Sequence, residues 1–326
     1  MCNGCSKLSP NIQEISKTKD SFSLKELNVM LKKKNKSIPT KFLYDDLGSK
    51  LFEKISKTKE YYLTRTEENI LNKYSTKIVN ESDAHELLEL GSGSSKKTKL
   101  LILEALKVKS NLSYVSFDIS EKALKMSYDQ LKNISSDLNI KLIKGDFIND
   151  LEKLEQINKP RLYLFLGSTL GNFNNDTAIK FFSKISKKMK KADFFLLGID
   201  KIKNKEIIKA AYNDTAGITE KFNKNILNVI NKEYNLNFNP EMFDHIAEFN
   251  EDKSQIEMYL KALSNQKINS KKENIEINFG EKILTEISRK FSDTSIQAIF
   301  KDSGLEIVKN FSDEKKYYSL YLLKSK

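Results

Sequence analysis

Tryptophan is absent from this 326-residue chain, and only two histidines, two cysteines, three arginines and four prolines occur in it. Each scarcity removes a class of chemistry. Cys2 and Cys5 form a single CxxC near the N-terminus; a structural zinc needs four ligands, and no second pair exists, so reduced terminal thiols are expected and no metal. His85 and His245 stand alone and accompany no nucleophile elbow, which argues against a serine–histidine triad. No apolar run approaches the roughly 18 residues of a membrane span. The opening MCNGCSKLSP lacks an apolar core for a secretory signal, so a cytosolic protein with no membrane partner is expected. The formal charge of +12 comes almost wholly from lysine, the arginines being Arg65, Arg161 and Arg289. Base-edge and bidentate phosphate recognition favours arginine, and the lysines are dispersed along polar helix faces. They read as solvated surface, with no nucleic-acid partner expected.

What is present suits a globular chain: 39% hydrophobic and 31% charged residues, in a length that fits two domains or one enlarged one. From residue 85 onward, apolar strands alternate with helical stretches. Strands are expected at His85–Leu90, Ser113–Asp118, Ile140–Lys144, Arg161–Leu166 and Asp193–Ile199. Helices are expected near Lys97–Val108, Ser120–Asn133 and Asp176–Lys190. That spacing predicts an α/β fold with a doubly wound, mostly parallel sheet. A helix near Asp293–Asp302 and strands at Leu305–Asn310 and Tyr317–Leu323 end the chain, the last two as an antiparallel edge pair of the same sheet. Between them lies an insertion whose alternating Ile256, Met258, Leu260 and Ile275, Ile277, Phe279 predict half-buried antiparallel strands. Upstream, Thr64–Glu67 fits a capping box opening a helix over Glu67–Ile78. The expected division is a flexible N-terminus (1–12), a discontinuous α+β substrate-binding domain (13–66 plus 202–291) and a nucleotide-type core (67–201 plus 292–326).

The stretch HELLELGSGSSKKTK at His85–Lys99 reads as a strand, a glycine turn and a helix start. It does not supply the GxxxxGK[ST] of a phosphate loop. As a dinucleotide fingerprint it fails at the third glycine, where Lys96 opposes close helix–strand packing. A strand ending in ELGSG is instead similar to the first motif of S-adenosylmethionine (SAM)-dependent methyltransferases, where small residues let the backbone approach the cofactor. Two further strand ends fit. Asp118 in SFDIS stands where a carboxylate accepts ribose hydroxyls, and Asp146 with Phe147 in KGDF stands where an acid and a ring meet adenine. Any one acid is more often a helix cap or surface group. Three strand ends at one sheet edge point to a ligand site, because open α/β sheets bind at their carboxyl ends. The fourth strand runs into YLFLGSTLGNF, without the Pro-Pro-aromatic motif of base-methylating enzymes, and its small polar loop suits a compact polar ligand.

Taken together, FLGSTLGNF, FLYDDLGSKLFEKI, EYYLTRTE, AYNDTAGIT, FN(x)N(x)L(x)VIN, IEMYL and LTEIS(x)KF closely resemble, in the same order from about Pro39 onward, the histidine-specific Nα-methyltransferases of ergothioneine biosynthesis. The resemblance implies a Rossmann-like class I SAM methyltransferase core and threefold methylation of the α-amine of L-histidine, giving hercynine. It assigns SAM binding to Gly91, Lys97, Asp118, Asp146 and Phe147. It assigns the substrate carboxylate to Tyr61, Asn172 and Tyr212, and the imidazole nitrogens to Glu286 and Ser288. Tyr44, Phe52 and Gly167 would surround the amine, with Tyr44 holding the water that takes its proton, and Met258 would line the side-chain pocket. It also implies a monomer.

These roles make chemical sense. A carboxylate and a hydroxyl distinguish imidazole from apolar rings, because an unmatched buried pair penalises the wrong side chain. Aromatic faces accept the growing alkylammonium through cation–π attraction. Taken singly, Tyr44, Phe52 and Met258 would be core packing, Asn172 a helix cap, and Glu286 and Ser288 a solvent-facing pair on one strand face. Leu63 stands where the family has proline, and Arg289 where it has cysteine. The alternatives are an N-methyltransferase of another amino acid or small amine and, from a different class, an RNA methyltransferase or nucleic-acid-binding protein.

Overall fold

The computed structural model describes residues 10–15, 22–270 and 273–326; Cys2 and Cys5 lie outside the described residues. Along the chain, β1 (Ile12–Glu14), α1 (Leu24–Lys32), β2 (Lys36–Ser37), α2 (Asp46–Ile55) and α3 (Tyr62–Ser82) come first. An alternating stretch follows: β3 (Glu86–Leu90), α4 (Thr98–Val108), β4 (Leu112–Asp118), α5 (Glu121–Leu131), β5 (Leu138–Lys144), β6 (Arg161–Phe165), α6 (Asn175–Lys188) and β7 (Phe194–Asp200). Next are α7 (Lys205–Ala211), α8 (Ile218–Tyr234), β8 (Phe243–Asn250), β9 (Gln255–Ala262), β10 (Gln266–Ser270), β11 (Glu273–Ile277) and β12 (Lys282–Arg289). The chain closes with α9 (Asp293–Asp302), β13 (Leu305–Ser312) and β14 (Tyr318–Ser325).

Eight strands form one sheet in the order β1-β5-β4-β3-β6-β7-β14-β13. The first six run parallel; β14 lies antiparallel to β7, and β13 antiparallel to β14. This is the expected doubly wound, mostly parallel sheet, with the late strands completing it. β3, β6 and β7 are buried at every position because helices cover both faces. Successive residues therefore enter different cores: Leu87 packs with Leu71, Ile102 and Leu162, whereas Leu88 packs with Phe165, Phe181 and Ile299. From β3 the chain moves outward to β4 and returns to β6 on the other side, so the winding reverses beside β3. Ligands of open α/β sheets bind at that point, outside the carboxyl ends of the strands.

A second sheet, β2-β12-β9-β8, packs with α1, α2, α7 and α8 around its own apolar cluster, which includes Leu27, Leu43, Phe222, Ile226, Met258 and Ile283. The buried residues of that cluster come from Leu27 to Leu63 and from Ile208 to Ile283. Three details differ from the sequence expectation. The helix expected from a Thr64–Glu67 capping box begins at Tyr62 instead, and Glu67 is fully buried with its carboxylate engaged elsewhere. Phe279 ends no strand alternation; it lies beyond β11 and is 70% exposed, unlike Ile275 and Ile277. Ile12–Glu14 adds a strand beside β5 that the pattern does not announce. Among the described residues, no helix is long and apolar enough to cross a membrane.

Candidate active site

The carboxyl ends of β3, β4, β5 and β6 carry Gly91, Asp118, Asp146 and Gly167. At the first, the chain leaves β3 through Gly91 (φ +69°) and Gly93 (φ +52°), conformations that favour glycine. A Cβ on Gly91 would stand 3.3 Å from the Phe147 ring, whereas the corresponding space at Gly93 is open. The turn is thus a cradle with one side free for a ligand. Asp118 holds it from β4: its carboxylate accepts the Gly93 N–H at 3.0 Å and the Ser120 N–H at 2.9 Å. Burial raises the Asp118 pKa. Asp146 accepts from the Ile148 N–H and the Asn149 amide, and half-buried Phe147 packs edge-on against Phe165 and Phe181. Lys97, the residue before α4, pairs with Glu67. All five expected SAM residues therefore lie along one sheet edge, and the cradle, the two carboxylates and the ring fit an adenosyl group.

Beyond that edge is an aromatic chamber. Tyr44 meets Phe52 and Phe222 edge-on at 5.7 and 5.5 Å; Phe52 meets Tyr61 at 5.9 Å, and Tyr61 meets Tyr212 at 6.1 Å. α2 delivers Phe52, and its N-terminus is fixed by Asp45, which accepts from the Gly48 N–H and the Asn225 side chain of α8. The hydroxyl pKa values of Tyr44, Tyr61 and Tyr212 are all raised, first by burial and then by neighbouring negative charge that includes Glu286. These phenols stay protonated at neutral pH and can donate. None is a ready base.

The polar wall of the chamber is β12. Its pairing with β9 shifts register between Leu284 and Glu286, leaving Thr285 as the extra residue of a bulge. After the bulge, Glu286 lies opposite Met258 and Ser288 opposite Ile256, and all four are buried. The Thr285 hydroxyl bonds the Asn223 side chain at 2.6 Å, and Asn223 donates to His245 Nδ1 at 2.9 Å. His245 Nε2 then meets the Tyr212 carbonyl at 2.8 Å, so that nitrogen carries the proton. This chain of contacts ties the bulge to Tyr212. It also gives His245, whose pKa burial lowers, a neutral structural role. Glu286 has its pKa pushed up to about 7 by burial, against the pull of Lys290.

The β6 loop closes the remaining side. Gly167 (φ +79°) and Ser168 (φ +59°) turn the chain into a short 3-10 segment over Thr169–Asn172. A Cβ on Gly171 would come within 3.0 Å of Ser288 Oγ, which places this loop directly on β12. Asn174, not Asn172, caps α6, which leaves Asn172 without that duty. Two buried groups escaped sequence reasoning. Glu67 accepts the Gly167 N–H at 2.9 Å and the Tyr318 hydroxyl at 2.7 Å and pairs with Lys97, joining the cofactor edge to the β6 loop. Lys290 continues the Glu286–Ser288 alternation one step further. Period two was the signal available for it.

Comparison with known proteins identifies the family. A family model described as "Histidine-specific methyltransferase, SAM-dependent" matches residues 24–325. The chain is 35% identical over 295 residues to a histidine N-alpha-methyltransferase of Mycobacterium tuberculosis, covering 90% of this chain and 91% of that protein. It is 37% identical over 273 residues to the protein of the same name in Mycolicibacterium smegmatis, covering 83% and 84%. It is 28% identical over 323 residues to ergothioneine biosynthesis protein 1 of Schizosaccharomyces pombe, covering 96% of this chain and 42% of that protein.

Proposed function

We propose, for a chain that belongs to the histidine-specific, SAM-dependent methyltransferase family, that it methylates the α-amine of L-histidine three times to give hercynine, the first step of ergothioneine biosynthesis. The observation that carries this is the juxtaposition of Glu286 and Ser288, on one buried face, with the Tyr44, Phe52, Tyr61 and Tyr212 chamber beside the cofactor edge. The unit built from residues 22–66 and 202–291 binds the amino acid, and the eight-stranded sheet, which Ile12–Glu14 join, binds SAM. When bound, SAM supplies an electrophilic methyl group on a sulfonium.

The protein's own contribution is placement. Glu286 accepts an imidazole N–H and Ser288 meets the other ring nitrogen, while Met258 covers the ring. Tyr61, Tyr212 and Asn172 donate to the carboxylate, which their protonated state allows. The amine then falls among Tyr44, Phe52 and Gly167, where it is attacking and must be neutral. Tyr44, 36% exposed, holds a water that carries the amine proton out. Holding the amine in line with the methyl group supplies most of the rate enhancement, because the transfer needs no covalent intermediate. The ring faces also tolerate a positively charged, partly methylated amine, so successive rounds proceed in one site. The enzyme acts as a cytosolic monomer.

Mass spectrometry of products from purified protein incubated with SAM and the common amino acids tests this reading. Trimethylated histidine as the sole product is the expected result. Methylation of a different amino acid would sink the imidazole pocket while keeping the cofactor, and no small product at all would sink the function.

A further inference from the structure

Lys290 is fully buried, and its ammonium has three donors with three acceptors: Asp200 Oδ2 at 2.9 Å, the Tyr212 hydroxyl at 3.0 Å and Ser288 Oγ at 3.0 Å. No donor remains for a ligand, so whatever Lys290 does to a substrate passes through those two hydroxyls. An ammonium can only donate. Each hydroxyl therefore spends an oxygen lone pair on Lys290, and its proton is directed elsewhere. Tyr212 gives its proton to Ser288 at 2.8 Å, and a carboxylate is the stronger acceptor that would claim it.

The charge count points the same way. Asp200 is shared between Lys290 and Lys203, whose Nζ lies 2.5 Å from Asp200 Oδ1, and the Tyr62 hydroxyl also donates to this carboxylate at 2.7 Å. Two buried ammonium groups thus share this one carboxylate, and Glu286, which also feels Lys290, is a second acid of the wall, so the Lys290 charge is only partly spent on Asp200.

We propose that Lys290 is a positioning residue that holds Tyr212 and Ser288 as donors toward the carboxylate and the imidazole of the amino acid, and supplies the buried counter-charge to that carboxylate. It rests on the assignment of histidine to this chamber. It also explains how one pocket wall reads both ends of the same small molecule: a single donor-only group polarises the two hydroxyls that touch them.

Calorimetric titration of the full-length protein with L-histidine, histamine and SAM tests it. Wild-type binding of histidine comes first, because its absence would remove the histidine assignment itself and the proposal with it. Given that binding, Lys290→Met should weaken L-histidine roughly tenfold or more, histamine distinctly less because it has no carboxylate, and SAM by less than about twofold. Lys290→Gln keeps an N–H donor and should recover part of the loss; it is read by the same criteria if the methionine variant does not fold. Histidine affinity within about twofold of wild type in a folded variant would overturn the proposal. So would equal losses for histidine, histamine and SAM, which describe a loosened fold rather than a lost alignment.

Discussion

Glu286 accepts an imidazole N–H most strongly as a carboxylate, yet burial has pushed its carboxyl up to about 7. Its folded pKa lies above its unfolded one, so the stability it contributes is present below about pH 4.5 and is lost as pH rises through about 7. The empty protein therefore carries a buried-charge penalty at pH 8, on the order of 1–3 kcal/mol. Glu286→Gln should raise Tm by several degrees at pH 8 and hardly at all at pH 5, read by calorimetry without ligand. Glu286→Ala should lower kcat/KM for histidine by roughly 30-fold or more while SAM affinity holds; equal losses would sink its role in the pocket. The same scale shows what the sequence hides. Glu286 and Ser288 are singled out by the family resemblance of LTEIS; their spacing alone puts them on one face without saying that the face is buried. Lys290 escapes although it continues that alternation, because in so lysine-rich a chain period two alone does not mark one lysine as buried. Glu67 looks like a helix cap because its partners Lys97, Gly167 and Tyr318 stand 30, 100 and 251 residues away. Gly198 makes the point from the other side: a Cβ there would collide with the Glu67 carboxylate and come within 2.7 Å of the Tyr318 hydroxyl. Gly198→Ala should destabilise the protein by about 2–4 kcal/mol through overpacking and a displaced buried charge, measured by chemical denaturation.

At the scale of elements, the bulge in β12 decides which side chains face the chamber, since a strand without it would turn Glu286 to the opposite face. Thr285 anchors the bulge through Asn223 and the Met258 carbonyl, at 2.6 and 3.0 Å. Thr285→Val keeps the shape and removes the hydroxyl, leaving Asn223 Oδ1 without that donor. The expected cost is about 1–3 kcal/mol in urea denaturation, with a raised KM for histidine and unchanged SAM affinity. The alternating strands and helices from β3 to β7 were readable because both periods are long and the strands are continuous apolar runs. β1 and β2 were not, for three and two residues hold no period, and β1 exists only because β5 offers it an edge. The bulge itself has no sequence signature, since Thr285 is an ordinary strand residue.

Over the whole molecule, the charge of +12 sits mainly on lysines of polar helix faces, many of them in exposed pairs such as Lys125–Glu121 and Lys205–Glu251. The chamber, in contrast, draws on buried charge that salt screens weakly. Histidine methylation should change by less than roughly twofold between about 50 and 300 mM sodium chloride, whereas a nucleic-acid substrate would lose orders of magnitude. Steady-state rates across that range decide it. The second core has a further consequence, in time rather than in energy. Its early helices are completed by β-strands whose last buried contribution is Ile283, in β12. At roughly 5–20 residues per second of synthesis, the first segment waits on the order of 10–40 s on the ribosome before its partners emerge. Through that interval Leu27, Leu31 and Leu51 have no sheet to cover them, so the nascent chain presents its earliest apolar faces to chaperones well before the enzyme can close over them.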